Sequence, residues 1–178
     1  MTTGHVFIAT SVDGFVARKD HTLDWLAKKP GVEGEDGGFA NFMDSVDGLI
    51  MGSGSFRTLL GFEQWVYTKP VIVLSSSLTG ADIPKHLQTK VRLSRSSPKA
   101  LMQELDQEGW KRAYVDGGKI VQSFLREGLI SDLTITSVPI LIGEGIPLFG
   151  TVEADIDLEL MHSRQLATSM IQTTYRVV

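Results

Sequence analysis

Short apolar runs alternate along this chain with segments whose apolar residues recur every three or four positions. "HVFIATSV" is brief and β-branched, the signature of a buried strand. "FANFMDSV" places Phe39, Phe42, Met43 and Val46 at helical spacing. "GLIM" reads as a short strand, and the segment after "GSGS" as a helix ending near Gly61. "PVIVL" and "VRL" are strands, each stopped by a serine-rich stretch, "SSS" and "SRSSP". The next helix has legible ends: Ser97 as N-cap, Pro98 at its first position and Gly109 past its end, with Leu101, Met102 and Leu105 as its apolar stripe. "AYV" predicts a strand, and "DGG" then opens a helix with Ile120, Val121, Phe124 and Leu125 inward and Gly128 beyond it. "SDLTITSVPIL" is a longer strand and "IGEGIPLFG" a turn-rich loop. "DLELMHS" and "TSMIQTTYRVV" predict a closing hairpin. The long polar segment "DGFVARKDHTLDWLAKKPGVEGEDGG" predicts a loop, of a length that compact domains usually keep for function. Strands alternating with helices, then two late strands, predict one α/β domain over residues 1–178, its sheet mostly parallel with an antiparallel edge.

Composition narrows the function classes. A length of 178 residues suits one domain with a real core. The formal charge of −4 supplies no basic face for nucleic acid. The chain has no cysteine, which excludes disulfides, thiol redox chemistry and thiolate metal sites. Its N-terminus lacks a basic region followed by a long apolar core, and no apolar run approaches the roughly 18 residues of a membrane span. A cytoplasmic protein is expected. The four histidines, His5, His21, His86 and His162, show no ligand spacing, so no metal site is expected.

Three strand ends run into small polar residues: Gly52-Ser53-Gly54-Ser55, Ser75-Ser76-Ser77 and Asp116-Gly117-Gly118. In open α/β sheets ligands bind beyond the carboxyl ends of strands. Glycine lets backbone approach a ligand, and a helix start offers free N–H groups to an anion. Arg95 and Ser96, with Arg92 nearby, add donors. Together these predict a dinucleotide site, with diphosphate at the glycine junctions and a ribose phosphate near Ser75, Ser76 and Arg95. Tight turns, loop serines and a solvated basic face explain each feature singly. "GGKI" and "GSGSFR" do not match a phosphate-loop ATPase, and neither G-x-G-x-x-G after the first strand nor a serine-hydrolase elbow is present. Without thiols or metals, redox chemistry would need an organic cofactor.

Two carboxylates stand out as catalytic and substrate-binding candidates. Asp13, in "SVDG", follows the first strand, where the plain alternative is an Asp-Gly turn. Asp36 precedes the "FANFM" helix, where it equally fits an N-cap, with Glu33 and Glu35 as close competitors. Trp25, in "LDWL", is a large apolar residue in a polar segment, either covering a ligand or anchoring the loop.

"ATSVDGFVA", "LDWL", "FMDSVDGLIMGSGSF", "PVIVLSSS", "AYVDGGKIVQSFLREGLISDLTIT" and "PILIGEGIPLF", in this order, resemble the dihydrofolate-reductase-like superfamily. The nearer resemblance is to its branch containing the reductase (C-terminal) domain of the bifunctional riboflavin-biosynthesis deaminase-reductase, RibD. The resemblance implies a three-layer α/β fold and an NADPH-dependent hydride transfer to a pyrimidine- or pteridine-like substrate, as in 5-amino-6-(5-phosphoribosylamino)uracil reductase. It implies that Gly52, Ser53, Gly54, Ser55, Ser75, Ser76, Arg95, Gly117, Gly118, Lys119 and Ile120 hold the cofactor, with Ala9 and Thr10 near its nicotinamide. Asp13, Trp25 and Asp36 would line the substrate pocket. Counting back from "IMG" without gaps sets Asp36 where folate reductases keep their substrate-binding acid. Ser53 stands where the family has an arginine, whose bidentate phosphate contact serine does not supply, so NADPH and NADH both stay open unless Arg95 compensates. Asp116 replaces the family's usual glutamate, and no deaminase zinc motif is present. A non-catalytic nucleotide-binding module and a true folate reductase are the alternatives. The late strands also predict a sheet edge joining a second subunit in a homodimer.

Overall fold

The computed structural model describes residues 1–28, 35–167 and 169–178; Glu33, one of the competitors to Asp36, and Thr168, at the start of the last expected strand, lie outside them. The first strand, β1 (Thr3–Ser11), leads into a very short β2 (Phe15–Ala17) and a single turn, α1 (Asp24–Ala27). Next come α2 (Phe39–Ser45), β3 (Gly48–Gly52), α3 (Ser53–Leu60), β4 (Val71–Leu74) and β5 (Val91–Ser94). Then follow α4 (Pro98–Gln107), β6 (Arg112–Asp116), α5 (Gly118–Arg126), β7 (Ile130–Val138), β8 (Ile146–Pro147), β9 (Leu158–Gln165) and β10 (Ile171–Val177).

Eight strands form one sheet in the order β5-β4-β3-β6-β1-β7-β10-β9, and β2 pairs with β8 in a separate ribbon. All pairs from β5 to β7 are parallel; β10 runs antiparallel to both β7 and β9. Side-chain alternation divides the interior into two layers. Ile50, Ile72, Ala113 and Val115 point to the face covered by α4 and α5, where Leu101, Leu105, Val121 and Phe124 are buried. Their neighbours Leu49, Met51, Val71, Val73 and Tyr114 point to the other face, against Phe56 of α3 and the half-buried Phe39, Phe42 and Met43 of α2. Phe56 and Phe124 are fully buried, one in each layer; truncating either to alanine should cost about 3–5 kcal/mol.

The expected helix ends are present. Ala100 N donates to Ser97 Oγ at 3.3 Å, Pro98 sits in the first turn, and Gly109 and Gly128 follow α4 and α5 with φ of 93° and 64°. Three expectations change. The polar segment from Asp13 to Gly38 is not only loop, since β2 and α1 lie within it; "IGEGIPLFG" contributes β8. Strands of three and two residues are too short to show a period, and here they exist only because each pairs with the other across a long sequence separation. β7 stops at Val138 rather than running through Leu141, because Pro139 has no N–H to donate. Among the described residues, no helix is long and apolar enough to cross a membrane.

Candidate functional site

The carboxyl ends of four adjacent strands, β4, β3, β6 and β1, frame the main cavity, about 580 Å³ in volume. Its floor follows from local sequence. β3 ends at Gly52 and turns directly into α3; β6 ends at Asp116 and turns through Gly117 into α5. Neither helix has a side-chain cap, so the backbone N–H groups of both first turns are left to face the opening. β3 and β6 are neighbours, which sets the two helix starts side by side. The packing there admits only glycine. Gly117 has φ of 93°, and a Cβ on it would meet Ser55 Oγ at 2.6 Å. A Cβ on Gly118 would overlap the Pro147 carbonyl of β8. The short ribbon of β2 and β8 thus closes over α5 through Val16, Ala17 and Ile146, while Leu23 and Leu26, either side of α1's Trp25, line another wall.

Gly52, Ser53, Gly54, Ser55, Ser75, Ser76, Gly117, Gly118, Lys119 and Ile120 all line this one cavity, as does Ala9. Lys119 and Arg57, which also lines it, form no ion pair among the described residues. The other residues singled out from sequence lie elsewhere. Thr10 is buried beside Ser137 of β7, its side chain opposite in sense to that of Ala9. Arg95 is exposed just past β5, outside the cavity wall, although Ser75 N donates to Ser94 O at 3.0 Å next to it. Arg92 pairs with Glu108 at 2.7 Å and faces solvent.

Asp13, Asp36 and Trp25 do not line the cavity. The Asp13 carboxylate accepts from Gly143 N at 2.7 Å and Ile142 N at 3.2 Å, tying two loops together. A hydrogen bond from Ser11, with those two amides, holds its carboxyl below the usual range. Asp36 is exposed and caps α2, accepting from Ala40 N at 2.7 Å and Gly38 N at 2.8 Å. Those two amides lower its carboxyl in the same way. Asp13 sits in a turn closed by Gly14 N donating to Ser11 O, and Asp36 lies two residues before the α2 N-cap, Gly38, with its carboxylate on the amides of the helix start. Trp25 is fully buried and anchors its segment to the core.

The acid that does line the cavity is Asp116. Removal from water pushes its carboxyl above the ordinary value, against hydrogen bonds with Tyr114 and Ser55. Tyr114 O–H lies 2.8 Å from the Phe7 carbonyl and 3.1 Å from Asp116 Oδ1. Burial and the neighbouring Asp116 raise the hydroxyls of both Tyr114 and Tyr67, so both stay protonated. Phe7 and Tyr114 face the cavity, backed by Phe39 and Phe42 at ring separations of 5.0–6.3 Å. In the sequence Asp116 stands at a strand junction and in place of the family's glutamate, not among the catalytic candidates; Tyr67, Tyr114 and Arg57 are not marked there, and His21 is marked only as a histidine without ligand spacing. For Asp116 the signal was present, an acid at a strand end before paired glycines. For the others no local pattern marked them.

The arrangement suits an anionic, elongated ligand at the two helix starts and a planar group at the aromatic end. A protein-family model described as the RibD C-terminal domain matches residues 3–172. The chain is 29% identical over 172 residues to the uncharacterized protein YwjB of Bacillus subtilis strain 168, covering 93% of this chain and 92% of that one. It is similar to a Shewanella sp. PV-4 protein provisionally named for riboflavin biosynthesis, with 39% identity, a TM-score of 0.93 and 99% of each chain covered. Its fold is shared with a Thermotoga maritima diaminohydroxyphosphoribosylaminopyrimidine deaminase/5-amino-6-(5-phosphoribosylamino)uracil reductase (12% identity, TM-score 0.76), spanning 99% of this chain and 57% of that one. It is also shared with Enterococcus faecalis dihydrofolate reductase in complex with NADP(H) (14% identity, TM-score 0.66, 98% and 96% covered).

Proposed function

The chain belongs to the RibD C-terminal domain family, and from that premise we propose that it is an NADPH-dependent reductase of a pyrimidine- or pteridine-like substrate. The observation that carries this reading is the convergence of two uncapped helix starts, α3 and α5, with Ser75 and Ser76 on one cavity. The residues present fit a dinucleotide: glycines where a side chain would collide, free amides for phosphate, and two cations, Arg57 and Lys119, that form no ion pair among the described residues. Bound there, the nicotinamide cofactor supplies a hydride. The chain's own residues do the rest. The amides at Ser53–Ser55 and Gly118–Ile120 balance phosphate charge. Ala9 and Ile8 would stand at the nicotinamide end, and Leu23, Leu26, Val16 and Ile146 would exclude water.

Asp116 is the candidate proton carrier in this reading. Its Oδ1 accepts from Tyr114 O–H at 3.1 Å, and burial raises its carboxyl above the ordinary value at the cavity wall. Phe7 and Tyr114 give a flat heterocycle an aromatic wall. The folate-reductase reading loses its support, since Asp36 caps α2 and does not face this cavity.

We further propose a cytoplasmic homodimer joined at β9, discussed below. The decisive experiment titrates NADPH and NADH into the purified protein and follows melting temperature, then follows cofactor oxidation across a panel of ribosylamino-pyrimidine phosphates and pteridines. Stabilisation by cofactor and turnover of one panel member is the expected result. No stabilisation by either cofactor would refute the reductase reading, because a ligand of the native state must stabilise it. Binding without turnover of any panel member would favour a non-catalytic module.

A further inference from the structure

We propose that His21 is a phosphate ligand of the cavity, reaching across from the segment between β2 and α1 to add an imidazole N–H donor beside the start of α3. This rests on the reading that the cavity takes a nicotinamide dinucleotide. The first turn of α3 is Ser53-Gly54-Ser55, which carries no charge. A Cβ built on Gly54 would come within 2.6 Å of His21 Nδ1. The imidazole therefore occupies the space that a side chain on residue 54, in the first turn of α3, would fill. Glycine at 54 is what admits it.

The segment that carries the ring is fixed to the helix. Thr58 Oγ1 donates to the His21 carbonyl at 3.2 Å, and His21 N donates to Arg18 O at 2.9 Å. The charges around it are engaged elsewhere. Asp20 Oδ1 accepts from Thr22 N and Thr22 Oγ1 at 3.0 and 2.7 Å, and Arg18 pairs with Asp24 at 2.5 Å. Among the described residues His21 itself has no ion pair. It lines both the main cavity and an adjoining recess of about 410 Å³, and Arg57, one turn along α3 from Gly54, lines both as well. An imidazole and a guanidinium over a helix start, with the nearest acid already satisfied, make a binding surface for phosphate. Its seat beside the paired helix openings assigns His21 to the diphosphate bridge that NADPH and NADH share.

The test is His21→Asn, since asparagine tolerates the φ of 68° at this position. Dissociation constants for NADPH and NADH are measured by calorimetry, with apo melting temperature as the control. The expected result is about tenfold weaker binding of both cofactors, the range for a hydrogen bond to a charged group, with apo melting unchanged. A loss confined to NADPH overturns the diphosphate assignment and gives the contact to the ribose phosphate. Unchanged affinity for both removes His21 from the site. Gly54→Ala provides the second arm: it should displace the ring and weaken binding in the native background, yet add nothing in His21→Asn. Additive losses would sink the proposal even if His21→Asn proved unstable. A native protein that binds neither cofactor would instead be a failure of the reductase reading.

Discussion

At Gly117, conformation and crowding act together: φ is 93°, and Ser55 Oγ lies where a Cβ would go. Gly117→Ala should therefore destabilise the fold by about 1–3 kcal/mol, read by urea denaturation, and weaken cofactor binding as well. Asp36→Ala makes a contrasting case. It removes the acceptor for Gly38 N and Ala40 N at the start of α2, so melting should fall by about 2–4 °C while NADPH affinity stays unchanged. Asp116 bears on pH dependence. A carboxyl raised in the native state binds its proton more tightly there, so its contribution is intact at acidic pH and is lost as pH rises through the native value. Asp13, Asp20, Asp24, Asp36, Asp47 and Asp82 are lowered and act oppositely, their contributions being lost as pH falls below the ordinary carboxylate range. Asp116→Asn should flatten the decline in stability above about pH 4, a decline limited to about 1.4 kcal/mol per pH unit for one proton. An unaltered stability profile in the variant would contradict the raised carboxyl.

Among the elements, β9 is the anomaly. All eight of its residues are exposed, and it has β10 as its one neighbour in the sheet. Leu158, Leu160 and Met161 are 42%, 60% and 52% exposed, and Ile171 of β10 is 44% exposed. An uncovered apolar edge strand invites pairing with another strand. A second copy presenting the same edge would satisfy both chains by two-fold symmetry. Leu160→Asp should convert a dimer to a monomer in light scattering without lowering NADPH affinity, since β9 contributes nothing to the cavity wall. A native monomer at all accessible concentrations would dismiss the dimer. The opposite edge, β5, spans four residues, too short to offer a comparable surface.

On the scale of the whole molecule, the cavity depends on two sheets and on both faces of the larger one. The starts of α3 and α5 lie on it, the β2 and β8 ribbon roofs it, and the α1 segment walls it. A ligand held by all these parts should stabilise them as a unit. At a hundred times its dissociation constant, NADPH should contribute about 2.7 kcal/mol, a rise of about 5–10 °C in melting temperature for a chain of this size.

What the sequence determined by itself was what arises from near neighbours. The short continuous apolar runs "GLIM" and "AYV", the Ser97-Pro98 start and the Gly109 and Gly128 stops are each legible within a few residues, and strands, helices and ends appeared where those patterns stood. The glycine and serine corners at Gly52, Ser75 and Gly117 were legible for the same reason. Which acid faces the cavity was decided only by the tertiary structure. Asp13, Asp36 and Asp116 each follow or precede a regular element, and the sequence pointed to Asp13 and Asp36 as the catalytic candidates. Packing separated them: backbone amides satisfy Asp13 and Asp36, while Asp116 sits partly buried at the cavity wall, where burial raises its carboxyl. His21 meets Gly54 only because a distant segment is pinned against α3, a contact between residues 33 apart that no local pattern encodes.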